Sequence, residues 1–212
     1  MATLIRRTGA VLLSLTLLIS ATAAVAQTPP PPNPIPMVVI RTSHGDIGLG
    51  LSIYRAPVTV CNFLRYVEAG HYVGGRFFRT VVARTNDNPN PIDVIQAATP
   101  AGSDDAGFGP IPLERTRDTG LTHRIGTVSM ARDAPDSATS SFFIVVDDAP
   151  ALDFGGARNP DGQGFAAFGF VTGGMAVVRA IQALPATNEV IDSPVMILDV
   201  ELATPFPNLC RR

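Results

Sequence analysis

No lysine occurs in this 212-residue chain; all 16 basic side chains are arginine. That absence by itself says nothing about partners, but the charge as a whole does. With 18 acidic residues the formal net charge is −2, and no basic stripe is present that could neutralise phosphates, so a nucleic-acid partner is not expected. Charged residues make up only 16 % of the chain against 46 % hydrophobic ones, which excludes a solvated, disordered charge block. There are three histidines, His44, His71 and His123, far apart in sequence, and two cysteines that complete no cluster with them. A metal centre is therefore not expected. The segment NPDGQG at 159–164 lacks the ordered acidic ladder and terminal Glu of a calcium loop. No G-x-S-x-G elbow is present, and Gly48-Leu49-Gly50 does not continue into a dinucleotide fingerprint. No cofactor is implied.

What is present begins with a targeting segment. Arg6 and Arg7 precede an apolar run at 11–19, and Ala24-Val25-Ala26 offers a small-x-small cleavage site before Gln27. The run is short for a bilayer span, so cleavage and export to a bacterial periplasm are expected, with no stable membrane anchor. Residues 27–36 (QTPPPPNPIP) read as an extended spacer, residues 37–204 as one domain and residues 205–212 as a tail. An oxidising compartment makes a disulfide between Cys61 and Cys210 one of two readings; the other is a half-buried helix thiol and a free thiol in the tail.

From residue 37 onward, short apolar stretches alternate with Gly-, Asn-, Asp- and Pro-containing turns. Strands are expected at 37–42, 47–54, 74–82, 94–97, 127–130, 142–146, 165–171 and 195–202. Pro57 opens a helix that Gly70 ends, with Val60, Phe63, Leu64 and Val67 on one face. Residues 175–184 form a second helix, with Val177, Val178 and Ile181 on one face. Many short strands with two helices, no repeat and no βαβ rhythm point to a closed antiparallel barrel or a sandwich.

Three side chains stand out against this frame. Arg79 sits in a strand beside Phe77 and Phe78, where an unpaired guanidinium cannot be buried. It is either a rim residue reaching water, the commoner case, or a donor held over a concave apolar site. Gln96 lies in the apolar strand VIQAA and needs a partner if buried; Arg79 or a ligand carbonyl would serve. Phe142 and Phe143 are consecutive, so one faces the core and the other lines a surface or faces solvent.

Over residues 37–202 the chain resembles the cyclophilins, and most closely exported bacterial cyclophilin-type peptidyl-prolyl cis–trans isomerases. The matching pieces are APVTVCNFLRYVEAGHYVGGRFFR, VIQAA, GPIPLE, GTVSMAR, SSFFIVV, ALDFGG and FAAFGFV, in this order. The resemblance implies an eight-stranded antiparallel β-barrel capped by two α-helices, and rotation about X-Pro bonds of unfolded or Pro-containing polypeptides; a monomer is expected. It puts Arg79 on the family's catalytic arginine, Gln96 on a substrate-contacting glutamine and Phe143 on the proline pocket. Ala131, Leu152, Phe78 and Phe165 fall on further groove positions.

The chain also departs from the family. Phe78 and Phe165 stand where His is frequent, Arg132 where Asn commonly follows SMA, Ser141 where Gln commonly precedes FFI, and Ala151 where an aromatic is frequent. The segment between Arg79 and Gln96 is about nine residues longer than in compact members. Alignment on Gln96 then puts Asp93 and Val94 in place of a Phe-Met pair, bringing a carboxylate toward the pocket. These changes motivate an alternative reading, a non-catalytic peptide-binding or chaperone-like barrel.

Overall fold

The computed structural model describes residues 35–100 and 107–211. The expected targeting segment at 1–26 and most of the spacer lie outside the described residues. The strands are β1 (Met37–Thr42), β2 (Gly45–Leu51), β3 (Arg76–Val81), β4 (Val94–Ala98), β5 (Thr127–Met130), β6 (Phe142–Val145), β7 (Ala167–Gly173), β8 (Ala186–Thr187) and β9 (Val190–Leu202). They pair antiparallel in the order β1-β2-β7-β5-β6-β4-β3-β9, and β9 pairs back onto β1. Eight strands thus close into a barrel that leaves no open edge. The two-residue β8 hangs on β9 as a hairpin.

Period-two alternation sorts the strand residues into two apolar clusters. Phe77, Ile95, Ala97, Val128, Met130, Phe142 and Ile144 point inward and share one buried core. Val81, Val94, Phe143 and Val145 point outward and form a second cluster with Ile92, Ala149 and Leu152. The Phe142-Phe143 pair is divided between the two, as consecutive strand residues must be. In β3 the alternation is interrupted. Phe77 pairs with Ala97 and Arg79 with Gln96, so Phe78 is an extra residue in a β-bulge. Without it Arg79 would share the inward face of Phe77; with it the guanidinium is carried to the outside of the barrel.

Helices α1 (Pro57–Glu68) and α3 (Met175–Gln182) pack on the barrel, and α2 (Thr116–Thr119) is a single turn. Phe63 and Leu64 of α1 and Val178 and Ile181 of α3 belong to the inner core, so both helices help to close it. The first-turn N–H groups of α1 have no side-chain cap of their own. The Glu114 carboxylate accepts them instead, from Val58 at 3.1 Å and Thr59 at 2.8 Å, placing a negative charge at the helix N-terminus. At the other end Gly70 adopts φ +70°, and His71 N–H donates to the Tyr66 carbonyl, a stop that the left-handed residue makes possible. A disulfide joins Cys61 of α1 to Cys210, with a Cα–Cα distance of 5.1 Å. No described helix is long and apolar enough to cross a membrane.

Candidate active site

The outward cluster is the floor of a groove of about 330 Å³. Ile92, Val94, Phe143 and Leu152 make it apolar, and all four are buried. The ring of Phe165 meets Phe143 edge-on at 5.6 Å and closes one side. Its backbone N–H is taken by the Leu152 carbonyl, so β7 starts at Ala167 rather than at residue 165 as the alternation suggests. Ala131 lines the same space. Arg79, Gln96, Phe143, Ala131, Leu152 and Phe165 are therefore brought together. Phe78, in the bulge, is not among the lining residues.

Arg79 stands at the groove's polar edge with its side chain 36 % exposed. Nη1–H donates to Gln96 Oε1 at 2.9 Å and Nε–H to Glu189 Oε2 at 3.0 Å, while Nη2–H makes a short contact with the same carboxylate oxygen. A guanidinium carries five N–H groups, so among the described residues two remain for a ligand. Glu189 is a residue that sequence reasoning missed. It lies 110 positions from Arg79, and no local pattern marks it. Its other oxygen accepts the Asn86 side-chain N–H, and Asn86 Oδ1 accepts from Arg158 Nη1 at 3.0 Å. Burial holds the Arg158 guanidinium below its ordinary value; the nearby Glu189 charge opposes that shift and Arg79 adds to it.

The lengthened segment before β4 is an ordered wall. Asn90 Nδ2–H donates to the Ala157 carbonyl at 3.1 Å and Arg158 Nη1–H to the Asn90 carbonyl at 3.2 Å, so the segment docks on the loop after Leu152. Asp93 does not enter the pocket. Its carboxylate turns away to accept from the Ala83 N–H at 3.2 Å and from Gln182 Nε2 at 2.8 Å, and Ile92 and Val94 on either side line the groove instead. The acidic position is thus used to anchor the insertion, because a carboxylate gains more from N–H donors than from an apolar cavity.

Beneath the floor, Ser129, His123 and Asp153 lie in the order of a hydrolase triad. His123 Nε2 is 2.9 Å from Ser129 Oγ, and Nδ1 is 2.7 Å from Asp153 Oδ1. Ser129 is 0 % exposed, so it cannot meet a substrate, and the trio is a structural bracket. The imidazole stacks on Phe143 at 6.0 Å with an interplanar angle of 16° and fixes the ring that floors the groove. Among the described residues no group of three or more His, Cys, Asp or Glu could hold a metal.

The closed barrel thus carries on its wall a groove with an apolar floor and a pre-bonded guanidinium at its polar edge. Comparisons with known proteins place the chain in a family. Residues 37–202 match the family model described as cyclophilin type peptidyl-prolyl cis-trans isomerase/CLD. The chain is 39 % identical over 152 residues to a peptidyl-prolyl cis-trans isomerase of Streptomyces antibioticus, covering 69 % of this chain and 83 % of that one. It is 38 % identical over 153 residues to peptidyl-prolyl cis-trans isomerase A of Dickeya dadantii, covering 71 % and 73 %. A crystal structure of a Cryptosporidium parvum cyclophilin shares the fold with a TM-score of 0.66 at 22 % identity, over 80 % of this chain and 98 % of that one. A second crystal structure from that organism, obtained in the presence of the dipeptide Ala-Pro, has a TM-score of 0.65 at 22 % identity over 79 % of this chain and 99 % of that one. The chain belongs to the cyclophilin-type peptidyl-prolyl cis–trans isomerase family.

Proposed function

We propose that this protein rotates X-Pro peptide bonds of exported polypeptides in a bacterial periplasm, with Arg79 as the electrophilic residue. The observation that carries this reading is Arg79 itself, bonded to Gln96 and Glu189 at the edge of the apolar groove with two N–H groups to spare. Rotation about the amide breaks resonance and meets a barrier of about 18–20 kcal/mol. In the twisted transition state the prolyl nitrogen regains a lone pair, which a guanidinium N–H meets better than it meets the planar nitrogen of either ground state. The floor of Ile92, Val94, Phe143 and Leu152 takes the pyrrolidine ring and excludes water. No proton leaves and no covalent intermediate forms.

The structure solved in the presence of Ala-Pro supports proline-containing ligands as the class that such a groove takes. The sequence at 1–26 supports export. Arg79→Ala removes the donor and leaves the apolar floor, so kcat/KM on an X-Pro peptide should fall about 100-fold or more at a temperature where the variant is still folded. Native turnover by Arg79→Ala would remove the mechanism. If the unaltered protein binds unfolded polypeptide without catalysis, the barrel is the non-catalytic binding module instead.

A further inference from the structure

Arg79 is held by a chain of contacts drawn from three parts of the molecule that lie far apart in sequence. Glu189 sits in the two-residue turn Asn188-Glu189 between β8 and β9, where both residues have positive φ, +51° and +67°. Turns of that kind favour Gly at the second position, and a Glu there is held in a backbone conformation that its Cβ disfavours. The turn is also tied down beside the arginine, because Thr80 N–H donates to the Glu189 carbonyl at 2.9 Å. The side chain uses both oxygens. Oε2 accepts Nε–H and Nη2–H of Arg79, and Oε1 accepts from Asn86 Nδ2. Asn86 must in turn accept from Arg158. Only one orientation of the Asn86 amide satisfies both neighbours, oxygen toward the cation and nitrogen toward the anion.

We propose that Glu189 is a positioning residue for Arg79, and that Asn86 and Arg158 hold Glu189 in place. This rests on the reading that Arg79 acts on the X-Pro bond. An arginine side chain free to rotate would have to be ordered while the amide twists; one already fixed along its Nε–Nη2 edge presents its remaining N–H groups with the orientation set in advance. The ordering is made by Asn86 of the inserted segment and by Arg158 in the loop after Leu152, so the segment that departs in length from the compact family pattern acts on the catalytic group through Glu189.

The polarity of the chain makes the proposal testable on the full protein. In Glu189→Gln the amide can still accept from Arg79, but its N–H₂ then faces the Asn86 nitrogen. Flipping Asn86 would turn donors against Arg158. Glu189→Gln should therefore lower kcat about tenfold with KM within about twofold, and Asn86→Ala should lower kcat by less, in the same direction. Glu189→Asp, which keeps the charge, should recover part of the loss. The Arg79 Nε–H resonance should be protected from solvent exchange in the native protein and in Glu189→Asp, and exchange measurably faster in Glu189→Gln, where a neutral amide held by one acceptable orientation of Asn86 replaces the carboxylate. If Glu189→Gln fails to fold, Asn86→Ala leaves the strained turn untouched and decides on the same two readouts. Native or faster turnover by Glu189→Gln, with Arg79→Ala inactive, overturns the positioning role. Native turnover by Arg79→Ala overturns the parent reading, and this one with it, and so marks a different failure.

Discussion

Arg132 shows what a single departure from the family pattern does. Its side chain is 1 % exposed. The guanidinium pairs with both oxygens of Asp161, at 2.7 and 2.9 Å, and donates to the Gly164 carbonyl from Nε at 2.8 Å and from Nη2 at 2.5 Å. It also lies over the Phe165 ring, 4.9 Å from its centre. The residue thus straps the loop after Leu152 to the groove and backs the ring that closes it. Arg132→Ala should lower stability by about 1–3 kcal/mol, from lost charged hydrogen bonds and an abandoned carboxylate, and should raise KM by loosening Phe165. Paired thermal melts and peptide kinetics check both. Hydrogen bonding from Arg132, aided by the Gln163 backbone N–H against a desolvation that opposes it, lowers the Asp161 carboxyl below its usual value. A depressed carboxylate stabilises the folded loop above the ordinary carboxylate range and loses that contribution as pH falls through the lowered value. Proteolysis within 155–164 should accelerate below about pH 4. In Asp161→Asn the rate should already be raised at neutral pH and respond little to acid.

At the scale of elements, alternation divides Phe142 and Phe143 as expected, with Phe142 inward and Phe143 outward, and in β4 Gln96 lies between inward Ile95 and Ala97. It could not read β3. Phe77 and Arg79 are two apart and should share a face; only the bulge at Phe78 separates them, and a bulge has no signature in a run such as RFFR. The resemblance to a family, not periodicity, gave Arg79 its place. Glu189, Asn86 and Arg158 were illegible for another reason. Their meaning lies in pairings across 72 to 110 positions, which neither propensity nor motif encodes. The staple between α1 and the 3₁₀ turn Asn208–Arg211 is likewise a long-range feature. With its ends 149 positions apart, the disulfide removes up to about 5 kcal/mol of unfolded-state entropy in the chain-entropy model. Neither cysteine lines the groove. Cys210→Ser, or reduction, should lower the thermal midpoint by up to roughly 10–20 °C, at about 2–4 °C per kcal/mol, and leave turnover at 25 °C unchanged. Calorimetry and the peptide assay, each with and without reductant, test the two halves.

For the whole molecule, closure and export bear on each other. The barrel closes when β9 pairs with β1, which joins residue 38 to residue 202. The Cys61–Cys210 bond crosses the same long span. Contacts this remote make folding slow relative to local structure formation, and the thiols can meet only once β9 has docked. A disulfide of this kind persists in an oxidising compartment and not in a reducing cytosol, which fits the targeting segment expected from Arg6-Arg7, the apolar run at 11–19 and Ala24-Val25-Ala26. The full chain produced in a Gram-negative host should therefore be recovered from the periplasm with Gln27 as its first residue and no thiol open to alkylation. The chain without residues 1–26 should stay in the cytoplasm with both thiols alkylatable and a lower thermal midpoint, yet show the same turnover below its transition, because the groove does not depend on the bond. N-terminal sequencing, fractionation and mass after alkylation read all three. Uncleaved protein in the membrane fraction would overturn the export reading, and a cytoplasmic product as stable as the exported one would show that the Cys61–Cys210 bond adds no stability to the closed barrel.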